Sequence, residues 1–119
     1  MKERENEKEK RYTLKGETVV SFWGGGTGAG KLQIETDESG LERIKKEPLQ
    51  DYTSFGVESV DYVCFKVYLT EIERKNDMII STEYLKPVSE IKAGKLTPRV
   101  RRVLNRLKKD EPEPIMIFY

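Results

Sequence analysis

The chain has 119 residues, enough for one domain whose core needs no disulfide or metal staple. Apolar and charged residues each make up 36%, so a small core lies under a heavily charged surface. Histidine is absent, which excludes Ser-His-Asp and Cys-His catalysis and every His-containing metal site. Cys64 is the single cysteine, so there is no intrachain disulfide, and its apolar surroundings read as a small buried hydrophobe.

The net charge of +1 hides an asymmetry. Residues 92–109 carry eight cations and no acid, which leaves 14 cations against 21 acids elsewhere, a net −7. No apolar run approaches the ~18 residues that span a membrane. Met1–Arg11 has no apolar core of the signal-peptide kind, so an intracellular, cytoplasmic protein is expected. Abundant Lys, Arg and Glu with few Asn and Gln match the composition of hyperthermophile proteins.

In chain order, residues 1–11 read as a charged, solvated tail. Tyr12–Trp23 turns β-like, with Gly16 marking a bulge or bend. Gly24–Gly30 reads as a glycine loop, and Lys31–Glu35 alternates as a half-buried strand does. Asp37, Ser39 and Gly40 supply a turn, and Leu41–Lys46 fits a third strand or one helical turn, ended by Pro48. Leu49–Ser59 fits a short helix or a loop. Val60–Glu73 alternates, with Val63, Phe65, Val67 and Leu69 on one face and Tyr62, Cys64, Lys66 and Tyr68 on the other. Lys75-Asn76-Asp77 signals a turn and Met78–Tyr84 the return strand, so the spacing predicts a long hairpin.

Thr97-Pro98 opens a helix over 98–109. Val100, Val103, Leu104 and Leu107 form its apolar stripe, suited to packing on a sheet or to an oligomer or partner-helix contact. Arg99, Arg101, Arg102, Arg106, Lys108 and Lys109 form a basic face off that stripe, able to neutralise phosphates or to pair with the acidic body. Residues 110–119 are acidic and then apolar: either a docking tail or a last edge strand.

Gly25–Lys31 fits the G-x-x-x-x-G-K spelling of a phosphate loop, but Leu32 stands where a hydroxyl residue should hold Mg²⁺. The same glycines match the nucleotide loop of tubulin-like GTPases, whose domain is far longer. Glu71 and Glu73 on one strand face read as a solvated strand end before an acid/base pair. No catalytic residue, metal site or cofactor is expected, and the chain reads as a non-enzyme.

The order of elements carries a resemblance. A strand ends in Gly26-Thr27-Gly28, an alternating strand follows, then a hairpin over Asp61–Leu85 closed by Leu85-Lys86-Pro87-Val88, then a helix. Tyr12–Lys109 thereby resembles the OB-fold subunits of replication protein A, especially the small and middle ones. The turn lacks the leading aspartate of that family. The resemblance implies a mainly β fold, a small five-stranded OB-like barrel over 12–109 with a C-terminal amphipathic helix. It implies a non-enzymatic single-stranded DNA-binding or scaffolding subunit of a DNA replication or repair complex, with other OB-fold subunits as partners through the helix. Carried over, the binding surface is Phe22 and Trp23 at the glycine loop, Lys31 and Gln33 on the next strand, Arg43, Lys45 and Lys46 on a third, and Arg74 and Lys75 in the hairpin loop. Trp23 stands open between stacking on a base and filling the core. The acidic-then-aromatic end also looks like the partner-recruiting tails of bacterial single-strand binding proteins.

Two alternatives remain: a protein-interaction module that makes no nucleic-acid contact, and a helix-turn-helix regulator. The second rests on Val88–Pro98, which looks like the recognition-helix exit of phage-repressor domains.

Overall fold

The computed structural model describes residues 8–52, 56–110 and 113–119. Its elements are β1 (Lys8–Phe22), β2 (Thr27–Asp37), α1 (Glu38–Lys46), β3 (Val57–Lys75), β4 (Met78–Glu83), β5 (Ser89–Gly94), α2 (Pro98–Asp110) and β6 (Ile115–Phe118).

β1 is the centre of one sheet. It pairs antiparallel with β2 on one side and with β3 on the other, and the path runs β4-β3-β1-β2-β6. The β3–β4 hairpin forms as its spacing predicts. Asn76 and Asp77 take the positive φ values, 51° and 64°, that a two-residue hairpin turn of the primed kind demands. β4 and β5 are two parts of one return path along β3, with β4 on Thr70–Lys75 and β5 on Tyr62–Val67. The interruption between them contains Pro87, which lacks an amide N–H for the ladder. β6 joins the far side of β2 in parallel, Leu32 opposite Ile115 and Glu35 opposite Phe118.

The sheet curls into a half-barrel, and among the described residues no ladder closes it from β6 back to β4 or β5. Gly16 permits the curl: a Cβ there would lie 1.8 Å from the Cys64 carbonyl oxygen, so only glycine lets β1 come so near β3. The expected bulge is elsewhere, between Val19 and Val20 and between Ser21 and Phe22.

Each face of the sheet has its own helix. Leu14, Leu32, Ile34, Phe65 and Val67 point to one face and are covered by Leu41 and Ile44 of α1. Val19 and Tyr62 point to the other, with Ala29 and Cys64 beside them, and are covered by Val100, Val103 and Leu104 of α2. The stripe of α2 therefore packs on this chain's own sheet, the first of the two uses expected for it. Thr97 caps α2 by accepting from the Val100 N–H at 3.2 Å.

Leu41–Lys46 belongs to a helix, not to a third strand. Asp37 caps it by accepting from the Gly40 N–H at 2.8 Å, and the i, i+3 spacing of Leu41 and Ile44 gives it one apolar side. Lys8–Arg11, read as the end of a solvated tail, pairs with Thr70–Glu73; residues 1–7 of that tail lie outside the described residues. Of residues 110–119, Ile115–Phe118 takes the edge-strand alternative, and residues 111–112 lie outside the described residues. Val88–Pro98 forms β5 and the approach to α2, so the recognition-helix reading is overturned. No helix is long and apolar enough to cross a membrane among the described residues.

Candidate nucleic-acid interface

α2 covers only one end of its sheet face. Strand alternation and register fix what the rest displays. Gln33 (β2), Lys15 (β1), Lys66 (β3) and Glu90 (β5) stand in one cross-strand row. Lys31, Glu17, Cys64 and Lys92 form the next row, one step closer to α2. Glu35, Thr13 and Tyr68 form the row on the other side.

Three connected depressions run along this face. The central one, about 390 Å³, lies among Lys15, Lys31, Lys66, Gln33 and Tyr68. It shares Lys15, Gln33 and Tyr68 with a second of about 390 Å³ that ends at Tyr84 and Leu85. It shares Glu17 and Cys64 with a third of about 360 Å³ that reaches Arg101 and Lys108 of α2. Together they make one trough from the basic helix to the β4–β5 interruption.

Acids share this trough: Glu17 stands opposite Lys31 and Glu90 opposite Lys66 in the ladders, and Glu35 and Glu83 line the second depression, but none of them forms an ion pair with a trough cation among the described residues. Among the described residues the ion pairs are Lys45–Glu42 and Arg74–Glu9, both on other surfaces. Arg99, Arg101, Arg102, Arg106, Lys108 and Lys109 are all exposed on α2. Lys15 places its ammonium 5.4 Å from the centroid of the Tyr68 ring. On the other face of the sheet the Tyr84 hydroxyl donates to Glu71 at 2.5 Å, which raises the Tyr84 phenol above its ordinary value. Under α2, burial foremost, then the neighbouring Cys64, raises the Tyr62 phenol.

The structure brings together only some of the residues expected to form the interface. Lys31 and Gln33 lie in the trough. Arg43, Lys45 and Lys46 do not: α1 carries them on the opposite face. Phe22 and Trp23 lie at the C-terminal end of β1, whereas Arg74 and Lys75 lie beside its N-terminal end, since Lys8 pairs with Glu73 and Phe22 with Val57. The 15 residues of β1 at about 3.3 Å each put these two loops about 50 Å apart. They cannot form one surface, as the loops of a small barrel would. Trp23 is 72% exposed, so the core reading is overturned, and Phe22 lies against Gly28.

The glycine run also changes meaning. Only Trp23–Gly26 make a turn, in which the Gly25 N–H donates to the Phe22 carbonyl, while Gly28 and Gly30 are paired strand residues. Gly25–Lys31 leads into β2, so the helix N-terminus that a phosphate loop needs is not there.

Lys15, Lys66 and Tyr68 were not singled out as binding residues by the sequence. Lys66 is the one cation between Tyr62 and Tyr68 on its strand face, and that was the available signal. Nothing local shows that β1 lays Lys15 beside it.

Comparison with known proteins adds no relative: no family model, no curated protein and no solved structure matches this chain.

Proposed function

We propose that this chain is a non-enzymatic binding protein for single-stranded nucleic acid. One observation carries the reading: the exposed basic face of α2 continues into the trough of the sheet face at Lys15, Lys31 and Lys66, none of which has an ion-pair partner among the described residues. Arg99, Arg101 and Arg102 fall in the first two turns of α2, which has no acid in its first turn. The helix dipole disfavours cations there, so this charge arrangement works against the isolated helix and for an external anion. Phosphodiesters suit it because each neutralised phosphate releases counterions.

Service in a DNA replication or repair complex, which the replication protein A resemblance implies, is part of the same proposal. Closure of the sheet into an OB barrel is no part of it, because the trough lies on an open face.

The test is fluorescence anisotropy of a labelled oligothymidylate titrated with the full chain at about 50 mM and about 200 mM salt. The expected result is binding at the lower salt that weakens at least about tenfold at the higher. Absence of binding, or binding indifferent to salt, would overturn the reading.

A protein-interaction module is favoured by a different feature. Met78, Ile79 and Ile80 of β4, the end strand of the sheet among the described residues, are 63%, 66% and 44% exposed, and such an edge invites another strand. Light scattering of the purified chain with and without nuclease separates the two. A mass above one chain that survives nuclease and falls with Ile79→Lys supports the interaction module; a mass that falls with nuclease supports the nucleic-acid reading.

A further inference from the structure

A basic helix alone holds single and double strands alike, because both offer phosphates. The sheet face adds what the helix lacks, an aromatic ring set among unpaired cations. We propose that Tyr68, Lys15 and Lys66 form a subsite for one nucleotide unit, base on the ring and phosphate between the lysines, which gives the chain its preference for single strands. This rests on the nucleic-acid reading of the trough.

Three observations meet at this point. First, Tyr68 is half-buried on the open face and lines both of the larger depressions. The group above its ring is the Lys15 ammonium, at 5.4 Å. That cover is a long, exposed side chain and can be exchanged. A base takes the ring face, and the displaced ammonium takes the phosphate of the same nucleotide.

Second, Lys15 and Lys66 are direct cross-strand partners. Side chains so placed start about 5 Å apart, close enough for two ammonium groups to straddle one phosphate. Neither has an ion-pair partner among the described residues. Like charges set opposite each other weaken the ladder in the free protein, and an anion between them removes that penalty.

Third, Gln33 of β2 is the direct ladder partner of Lys15 on the side away from Lys66, and it offers an uncharged donor and acceptor to a base edge. A duplex can offer phosphates to this face, but its bases are already stacked on one another and cannot lie on Tyr68.

The test uses the full chain and two labelled probes of equal length, an oligothymidylate of about 12 nucleotides and a duplex. Tyr68→Leu should weaken binding of the single strand about tenfold and leave duplex binding unchanged. Tyr68→Phe keeps the ring and should bind the single strand as the wild type does, which separates stacking from misfolding. Lys66→Gln should weaken single-strand binding and lower its salt dependence by about one phosphate. If Tyr68→Leu and Lys66→Gln both bind the single strand normally while Arg101→Gln does not, the subsite is overturned and the basic-helix reading stands. If the wild type binds neither probe, the reading itself falls, and the subsite with it.

Discussion

Lys15 of β1 and Lys66 of β3 face each other directly across an antiparallel ladder, with Gln33 beyond the first and Glu90 beyond the second. No ion pair forms at either lysine among the described residues. Like charges set directly opposite are unfavourable for a ladder, and here they leave two lysines without ion-pair partners in an open trough, which links the ladder register to the proposed binding role.

Relief of this repulsion should therefore stabilise the fold while harming function. Lys66→Thr removes the like charge and adds a β-branched side chain at an exposed strand position. Denaturant unfolding should show a gain of about 0.5 kcal/mol, with weaker oligonucleotide binding by the same variant. A loss of stability would show that Lys66 makes a favourable contact instead.

Gly16 governs the curl that shapes the trough. Gly16→Ala sets a methyl group 1.8 Å from the Cys64 carbonyl oxygen, against backbone that has no rotamer to yield. The expected loss is at least about 3 kcal/mol, seen as a large fall in melting temperature or as failure to fold. Near-wild-type melting would mean that β1 and β3 do not approach so closely.

Much of the fold was legible because its signals are local. The hairpin announces itself by the alternation of Val63, Phe65 and Val67 and by the turn at Asn76-Asp77, and α2 by Thr97-Pro98 and its apolar stripe. α1 was ambiguous because residues 41–46 hold two apolar side chains among four charged ones, too few to set a period. The role of the α2 stripe was not legible either, since helix packing on Val19 and Tyr62 depends on the whole sheet. The site was half legible. Lys31 and Gln33 follow from strand alternation, but the pairing of Lys15 with Lys66 is a long-range fact of register.

The intrachain use of the α2 stripe has its own consequence. Leu104→Ala should cost about 2–4 kcal/mol, the usual range for truncating a buried leucine. Because the packing is within one chain, the melting temperature of the wild type should not depend on protein concentration. A rise of melting temperature with concentration would restore the helix to an intermolecular bundle.

Tyr52 supplies a pH signature on the other face. Its hydroxyl donates to the Glu47 carbonyl at 3.1 Å, and its ring stands edge-on to Phe65 and Tyr119. Burial first, then Tyr119 and Glu47, raises its phenol well above the ordinary value. The folded chain thus holds a proton that the unfolded chain releases near pH 10. This contribution is complete below pH ~10 and is lost as pH rises from there towards the folded-state value. Thermal melts should show stability falling above pH ~10 in the wild type and falling less steeply in Tyr52→Phe. Equal slopes would place Tyr52 in contact with water.

The central claim is that single-stranded nucleic acid lies along the trough beside α2. Amide chemical-shift mapping of the labelled full chain, titrated with oligothymidylate, tests it residue by residue. The account predicts shifts clustered at Thr13–Glu17, Lys31–Glu35, Cys64–Tyr68 and the exposed side of α2, with α1 unmoved. Shifts confined to α1 or to β4, or none at all, would contradict it.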